Sequence, residues 1–491
     1  MRKLAFIVVL LSAGILLWKI HLYPVTVSIF ESSCGLTAMK IMEGDKEAIS
    51  TVWSRPKAKW LRGSSESNRN PVIVYPIGIF FKLFGHDPDY VSLRLTSIMY
   101  GVLSVWLMYL LMGKMFNPQI GLVAAFLLAT SCWFITLSRF CSDFVPTIFF
   151  SIVCYYIYSV ADRRKNPVGY IILGAVMAIA PYFYLPARLV AVVVFSSIVL
   201  RTFIERGYFK TYYWSLILMV VAFIIVIHLE GIDPVRYFNM KNRSSEWCWN
   251  RPQAKALNST FSFFVGNLKL IFNRFFISWG WFPNLISERG ACLDPVSRWC
   301  LVIGMIWACL KIKEHKYRFL LIWLVASLMP LVLTFLHPKR ALLVIPAFCA
   351  LAAIGICNSA FLLTSRLKHG RKIIILILIL PVLGSIGRLN LINYFGLYRE
   401  GCYTRSLLIN KNRREKFIEL LQKYTIYTDI FCGEYGWPQS GQFEAKRLKR
   451  EEYYKPGPAK MIRQSFEKAP VPCALLLKSG EVKIREKNSD E

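Results

Sequence analysis

Acidic residues are scarce in this chain: 29 aspartates and glutamates stand against 60 lysines and arginines in 491 residues, and charged residues of both signs make up only 18%. A water-soluble globule of that length needs more charged surface, so a soluble architecture is excluded for most of the chain. Thirteen cysteines are scattered without a C-x-x-C pair or a Cys/His spacing that would hold zinc, which excludes a metal-ribbon module. There is no GxxxxGK[ST] loop for nucleotide phosphates, no HExxH and no GxSxG, so three familiar catalytic designs are missing. No charged residue sits at the middle of an apolar run with an evident partner, which argues against an ion-coupled transporter. The net charge of +31 comes without a basic helix or an aromatic–basic motif, which argues against nucleic-acid binding.

What the chain has in abundance is apolar sequence. Hydrophobic residues make up 55% and aromatic residues 15%, and the mean hydropathy is +0.43. Apolar runs long enough to cross a hydrocarbon core of roughly 30 Å recur as far as about residue 394. They fall at residues 4–20, 91–112, 119–137, 144–160, 168–185, 188–204, 213–229, 296–311, 318–336, 341–363 and 373–392. The pattern predicts an all-α polytopic membrane protein of about 11 transmembrane helices. Residues 1–394 form its membrane domain, and residues 395–491 a small polar α+β region with strand-like runs at 425–431 and 474–477 and a helix at 413–424. The first run lacks a small-x-small cleavage site and reads as an uncleaved span.

Orientation follows from the loop charges. With Arg2 and Lys3 inside, alternation places Lys114, Arg163–Lys165, Arg201, Arg206, Lys210, Lys311, Lys313, Lys316 and Arg318 inside as well, as the positive-inside rule requires. The outer side then receives the loops 21–90 and 230–295, the short connectors near 138–143, 184–188 and 337–340, and the tail. Loop 21–90 contains an apolar piece at 72–84, suited to lying along the interface, and loop 230–295 a similar one at 261–276.

Polar residues on that outer side are the candidates for chemistry. Glu31, in Ile29-Phe30-Glu31-Ser32-Ser33, is a carboxylate suited to general-base work or to holding a divalent cation; the plain alternative is a solvated loop glutamate. Arg139 and Asp143 flank the connector between the third and fourth runs, where a snorkelling arginine is an equal alternative. Arg188 ends the corner Tyr182-Phe183-Tyr184-Leu185-Pro186-Ala187-Arg188, and His337, Lys339 and Arg340 follow the ninth run. Basic groups where topology does not call for them point to an anion, and arginine forks suit phosphate. Tyr182 and Tyr184 are candidate substrate-contacting aromatics; Asp45, Asp89 and Asp143 are further acidic candidates.

The order of these features resembles the membrane glycosyltransferases of the GT-C class. The run Arg69-Asn70-Pro71, the segment 79–85, Ser92-Leu93-Arg94-Leu95-Thr96-Ser97, the segment 127–139, the corner 184–188 and the loop 337–340 follow in the same sequence. The branch resembled groups bacterial protein O-mannosyltransferases with lipid A aminoarabinose transferases, over about residues 1–365. The resemblance implies a polyprenyl-phosphate-linked sugar as donor and a lipid, glycan or protein acceptor. The expected setting is a bacterial inner membrane with the active site outside. It assigns Glu31 the second position of an Asp-Glu pair and places Phe30 where the aspartate is expected. That departure leaves a metal-ion requirement open, and leaves Glu31 or another carboxylate to do the acid–base work. The reading from another class is a non-catalytic binder or transporter of lipid-linked glycans.

Overall fold

The computed structural model describes residues 1–20, 29–54, 70–84, 90–229, 260–273, 275, 293–333, 340–365, 371–399 and 419, together with four strands in the tail. The chain divides into two compact units: Met1–Trp18 with Ile98–Ser138 and Asp143–Leu397, and Lys19–Ser97 with Arg139–Ser142 and Tyr398–Glu491.

The first unit is a bundle of apolar helices. Its members are α1 (Arg2–Leu17), most of α5 (Tyr90–Met115), α6 (Pro118–Thr130), α7 (Cys132–Ser138), α8 (Phe144–Arg164), α9 (Pro167–Ala178), α10 (Leu189–Ile204), α11 (Tyr208–Leu229), α12 (Thr260–Phe272), α13 (Pro295–Leu310), α14 (His315–Leu333), α15 (Val344–Leu363) and α16 (Arg371–Arg399). Among the described residues seven helices are long and apolar enough to span a bilayer, and α6 with α7, bent by 63°, passes the same test as a pair. The other three expected spans correspond to α1, α9 and α13, helices of 16, 12 and 16 residues. The protein is thus an integral, multi-pass helical membrane protein. Large apolar side chains such as Trp214, Ile224 and Ile225 on α11 are exposed and suit contact with lipid.

Local sequence explains where the helices begin. Asn117-Pro118, Asn166-Pro167 and Asp294-Pro295 each supply a side-chain cap followed by a proline in the first helical position. The expected span at 168–185 stops at Ala178 because Pro181 and Pro186 lack the N–H groups that would continue it. The chain instead makes two short 3-10 turns, Ala180–Tyr182 and Leu185–Arg188. The expected span at 119–137 breaks at Ser131. There the Oδ1 of Asn390 accepts the Cys132 N–H at 3.2 Å, and the Thr130 hydroxyl donates back to the Phe126 carbonyl, a bond that favours bending. Asn390 in turn donates to Asp294 Oδ2 at 2.7 Å, tying α16 to the cap of α13.

α13 and α15 cross in backbone contact. A Cβ on Gly304 would overlap the Leu351 carbonyl, and one on Gly355 would overlap that of Cys300. Small residues at such crossings let membrane helices pack by van der Waals contact. Gly304→Ala is expected to destabilise the protein by about 1–3 kcal/mol, the usual effect of overpacking. Chemical unfolding in detergent checks this; an unchanged midpoint would show that the two helices can separate at no cost.

The second unit joins α2 (Ile29–Met42), α3 (Lys46–Ser54) and α4 (Pro71–Leu83) to the start of α5. Cys34, Leu36, Ala38 and Met39 of α2 pack with Ile73, Val74, Ile77 and Phe81 of α4, together with Leu93 and Cys141. The other side of α4 exposes Ile79, Leu83 and Phe84, so the segment expected to lie along the interface is apolar on both sides. The tail carries β1 (Thr425–Thr428), β2 (Tyr454–Pro456), β3 (Cys473–Leu476) and β4 (Val482–Arg485) in the order β2-β1-β3-β4. β1 runs parallel to β2 and β3, and β4 is antiparallel to β3. The helix expected at 413–424 lies outside the described residues apart from Glu419.

Candidate functional site

The second unit holds a fully buried carboxylate. Glu31 lies in the first turn of α2, where the helix dipole favours negative charge, and has no solvent exposure. Arg94 Nε donates to its Oε1 at 3.0 Å, and the Cys141 backbone N–H donates to the same oxygen at 3.1 Å. Arg94 is also buried, and its Nη1 donates to the Ile20 carbonyl at 3.4 Å. The Ser142 N–H donates to Ser97 Oγ, a bond between the 139–142 turn and the start of α5. Taking both charges out of water is costly, and charge-assisted hydrogen bonds in good geometry offset that cost. Arg139 lies in this same turn and is buried.

Cys141 is buried beside Glu31, which disfavours its nucleophilic thiolate form. Burial pushes its thiol well above the usual range, and the neighbouring Cys34 thiol and Glu31 carboxylate push in the same direction. In the folded protein Cys141 is expected to resist a water-soluble maleimide that labels it fully after unfolding. Rapid native labelling, read by mass spectrometry, would mean that water enters the Glu31 pocket freely.

The first unit holds a separate group of candidate residues. Asp143 precedes α8 and is buried; its carbonyl accepts the Thr147 hydroxyl at 2.6 Å. Thr147 Oγ1 also accepts the Tyr184 N–H at 3.0 Å, and the Phe144 ring meets Tyr184 edge-on at 5.2 Å. Tyr182 is buried, and Arg188, half-buried, closes the second 3-10 turn against α8. The structure thus gathers Asp143, Tyr182, Tyr184 and Arg188 around one corner. Arg340 is half-buried before α15. His337, Lys339 and Asp89 lie outside the described residues. Asp45 serves as a helix cap: its Oδ1 accepts the N–H groups of Glu47 and Ala48 at the start of α3. Among the described residues no group of three or more His, Cys, Asp or Glu side chains is arranged to hold a metal ion.

Arg94 is the residue that the outer-face reasoning missed. A guanidinium within the first turns of an apolar run is itself a signal, because a charge there needs a partner. The Cys141 N–H carries no sequence signal at all.

Residues 68–229 match the family described as dolichyl-phosphate-mannose-protein mannosyltransferase. That segment is about a third of the chain. It includes Arg94, Arg139, Asp143, Tyr182, Tyr184 and Arg188, and Glu31 precedes it. Among solved structures, the chain is similar to the oligosaccharyltransferase AglB of Archaeoglobus fulgidus in complex with an inhibitory peptide and a dolichol-phosphate. The TM-score is 0.52 at 14% identity, covering 86% of this chain and 58% of that one. The chain has the GT-C fold. The same archaeal enzyme tethered to an acceptor peptide containing the NVT sequon gives a TM-score of 0.51 at 12% identity, covering 90% and 58%. The GT-C chain described here therefore spans a little over half the length of AglB. ArnT from Cupriavidus metallidurans, bound to undecaprenyl phosphate, aligns over 97% of this chain and 92% of its own at 12% identity, with a TM-score of 0.48 that is too loose to carry the fold assignment. No curated protein sequence matches the chain.

Proposed function

We propose that this protein is a membrane glycosyltransferase that moves a sugar from a polyprenyl-phosphate donor to an acceptor hydroxyl on the extracytoplasmic face. The observation that carries the reading is the buried Glu31 carboxylate, held by Arg94 and the Cys141 N–H. The family match over residues 68–229 and the GT-C fold support it. In the reaction, the acceptor oxygen attacks the anomeric carbon of the sugar. The bond from that carbon to the phosphate oxygen breaks, and the lipid phosphate departs with the electron pair. The acceptor proton passes to the Glu31 carboxylate, the general base. Arg139, Arg188, His337, Lys339 and Arg340 are the cations proposed to stabilise the departing phosphate, and Tyr182 and Tyr184 to contact the sugar or acceptor. A donor already activated on lipid explains why the chain can act without a nucleotide-phosphate loop. Wild-type and Glu31→Gln proteins, reconstituted with a radiolabelled polyprenyl-phosphate sugar and a membrane extract as acceptor source, test the proposal. Transfer by the wild type and its loss in the variant are the expected result; equal transfer by both removes the catalytic role.

A further inference from the structure

A cavity of about 410 Å³ in the first unit is lined by none of the residues assigned above to sugar transfer. It opens where the C-terminal ends of α5, α8 and α10 meet the N-terminal end of α14, the end of the bundle that the loop charges assign to the cytosol. A closed network of charges forms one side. Arg201 donates to Asp162 Oδ2 at 2.5 Å and to Glu205 Oε2 at 2.6 Å, and Arg318 donates to Glu205 Oε1 at 2.7 Å. Tyr170 and Tyr208 donate to Asp162 Oδ1, and the Arg201 guanidinium stacks 4.3 Å over the Tyr208 ring. These groups satisfy one another and account for how α8, α9, α10, α11 and α14 are fastened together.

They do not account for the cavity beside them. Lys114, Arg163 and Lys316 line it together with Arg201, and Asp162 is the one carboxylate among the lining side chains. Asp162 is already engaged by Arg201. Lys316 pairs with Glu314, whereas among the described residues neither the Lys114 ammonium nor the Arg163 guanidinium has an ion-pair partner; Arg163 donates to the Lys114 carbonyl. A basic residue placed only for topology has no need of a cavity. Here several cations face a space of the size that small ligands fill, with Tyr155 and Phe319 as an apolar wall. Cations over an aromatic wall at a membrane surface suit a phosphate with an attached organic group.

We propose that this cavity binds a phosphate-bearing group, either the headgroup of an anionic lipid or a soluble phosphate ester, through Lys114 and Arg163. The proposal stands apart from the transferase reading and does not depend on it. The full-length protein in detergent is offered phosphatidylglycerol and phosphatidylcholine in equal amounts and examined by native mass spectrometry. In a second arm, binding of inorganic pyrophosphate is measured by calorimetry. Selective retention of phosphatidylglycerol identifies a lipid headgroup, and binding of pyrophosphate alone identifies a soluble ester. In either case Lys114→Ala/Arg163→Gln is expected to weaken binding on the order of tenfold or more. Arg164→Gln/Lys165→Gln, at exposed neighbours that do not line the cavity, should leave it unchanged. If the first variant misfolds, Lys114→Gln alone gives the same comparison, because among the described residues its ammonium forms no ion pair. Absence of binding in both arms, or equal loss in the two double variants, overturns the proposal.

Discussion

Glu31→Gln is expected to lower the rate of sugar transfer by roughly 10²–10⁴, the usual contribution of a positioned general base. The amide keeps an oxygen where Arg94 Nε and the Cys141 N–H now donate, so the local geometry has what it needs to persist. What it loses is the capacity to take the acceptor proton. The substitution also leaves the buried Arg94 beside a neutral group, so the rate must be read per folded molecule. Affinity for the lipid-phosphate donor should stay near the wild-type value, since the cations assigned to the phosphate are untouched. A rate within a few-fold of wild type on well-folded protein would sink the base assignment and favour a binding protein. Glu31→Asp serves as the graded control, because it keeps the charge and shortens the reach.

The second large effect is on stability. Arg94→Met removes the partner of a carboxylate that has no access to water, and breaking a buried pair from one side costs about 3–5 kcal/mol. Adding Glu31→Gln to Arg94→Met removes the stranded charge and should recover part of that loss, a coupling that a double-mutant cycle in detergent measures. Strictly additive losses would show that the two side chains do not sense each other, and the geometry proposed for the site would fall with them. A role for Arg94 in positioning predicts in addition that Arg94→Lys, which keeps the charge without the planar fork, retains more transfer than Arg94→Met.

Much of this architecture is legible in the sequence, for a simple reason. A bilayer demands about twenty apolar residues per crossing, and among the described residues seven of the eleven expected runs are helices that long and apolar, one is a bent pair, and three are shorter helices. Breaks within runs are harder to read. Ser131 interrupts a span because an amide 259 residues further along, Asn390, takes the hydrogen bond of the next N–H. Nothing within a window of twenty residues announces that contact. Pro181 and Pro186, by contrast, are visible punctuation that length alone overrode. At the site, Glu31 stood out as a carboxylate near a span, while its partner Arg94 lies 63 residues away and was legible only as a charge in the wrong medium. Arg201 and Arg318 read as orientation signals in sequence, and their carboxylate partners Asp162 and Glu205 carry no such signal. Folding makes them a network because the ends of helices distant in the chain converge.

The Asn390 side chain has a consequence for biogenesis. Its amide joins the Cys132 N–H and the Asp294 carboxylate, groups that emerge from the ribosome long before it does. Until α16 enters the bilayer, both wait in a poorly hydrated setting without this partner, a costly intermediate. This end of the bundle is therefore completed late in synthesis, and a chain truncated before Asn390 would leave the Cys132 N–H without this acceptor.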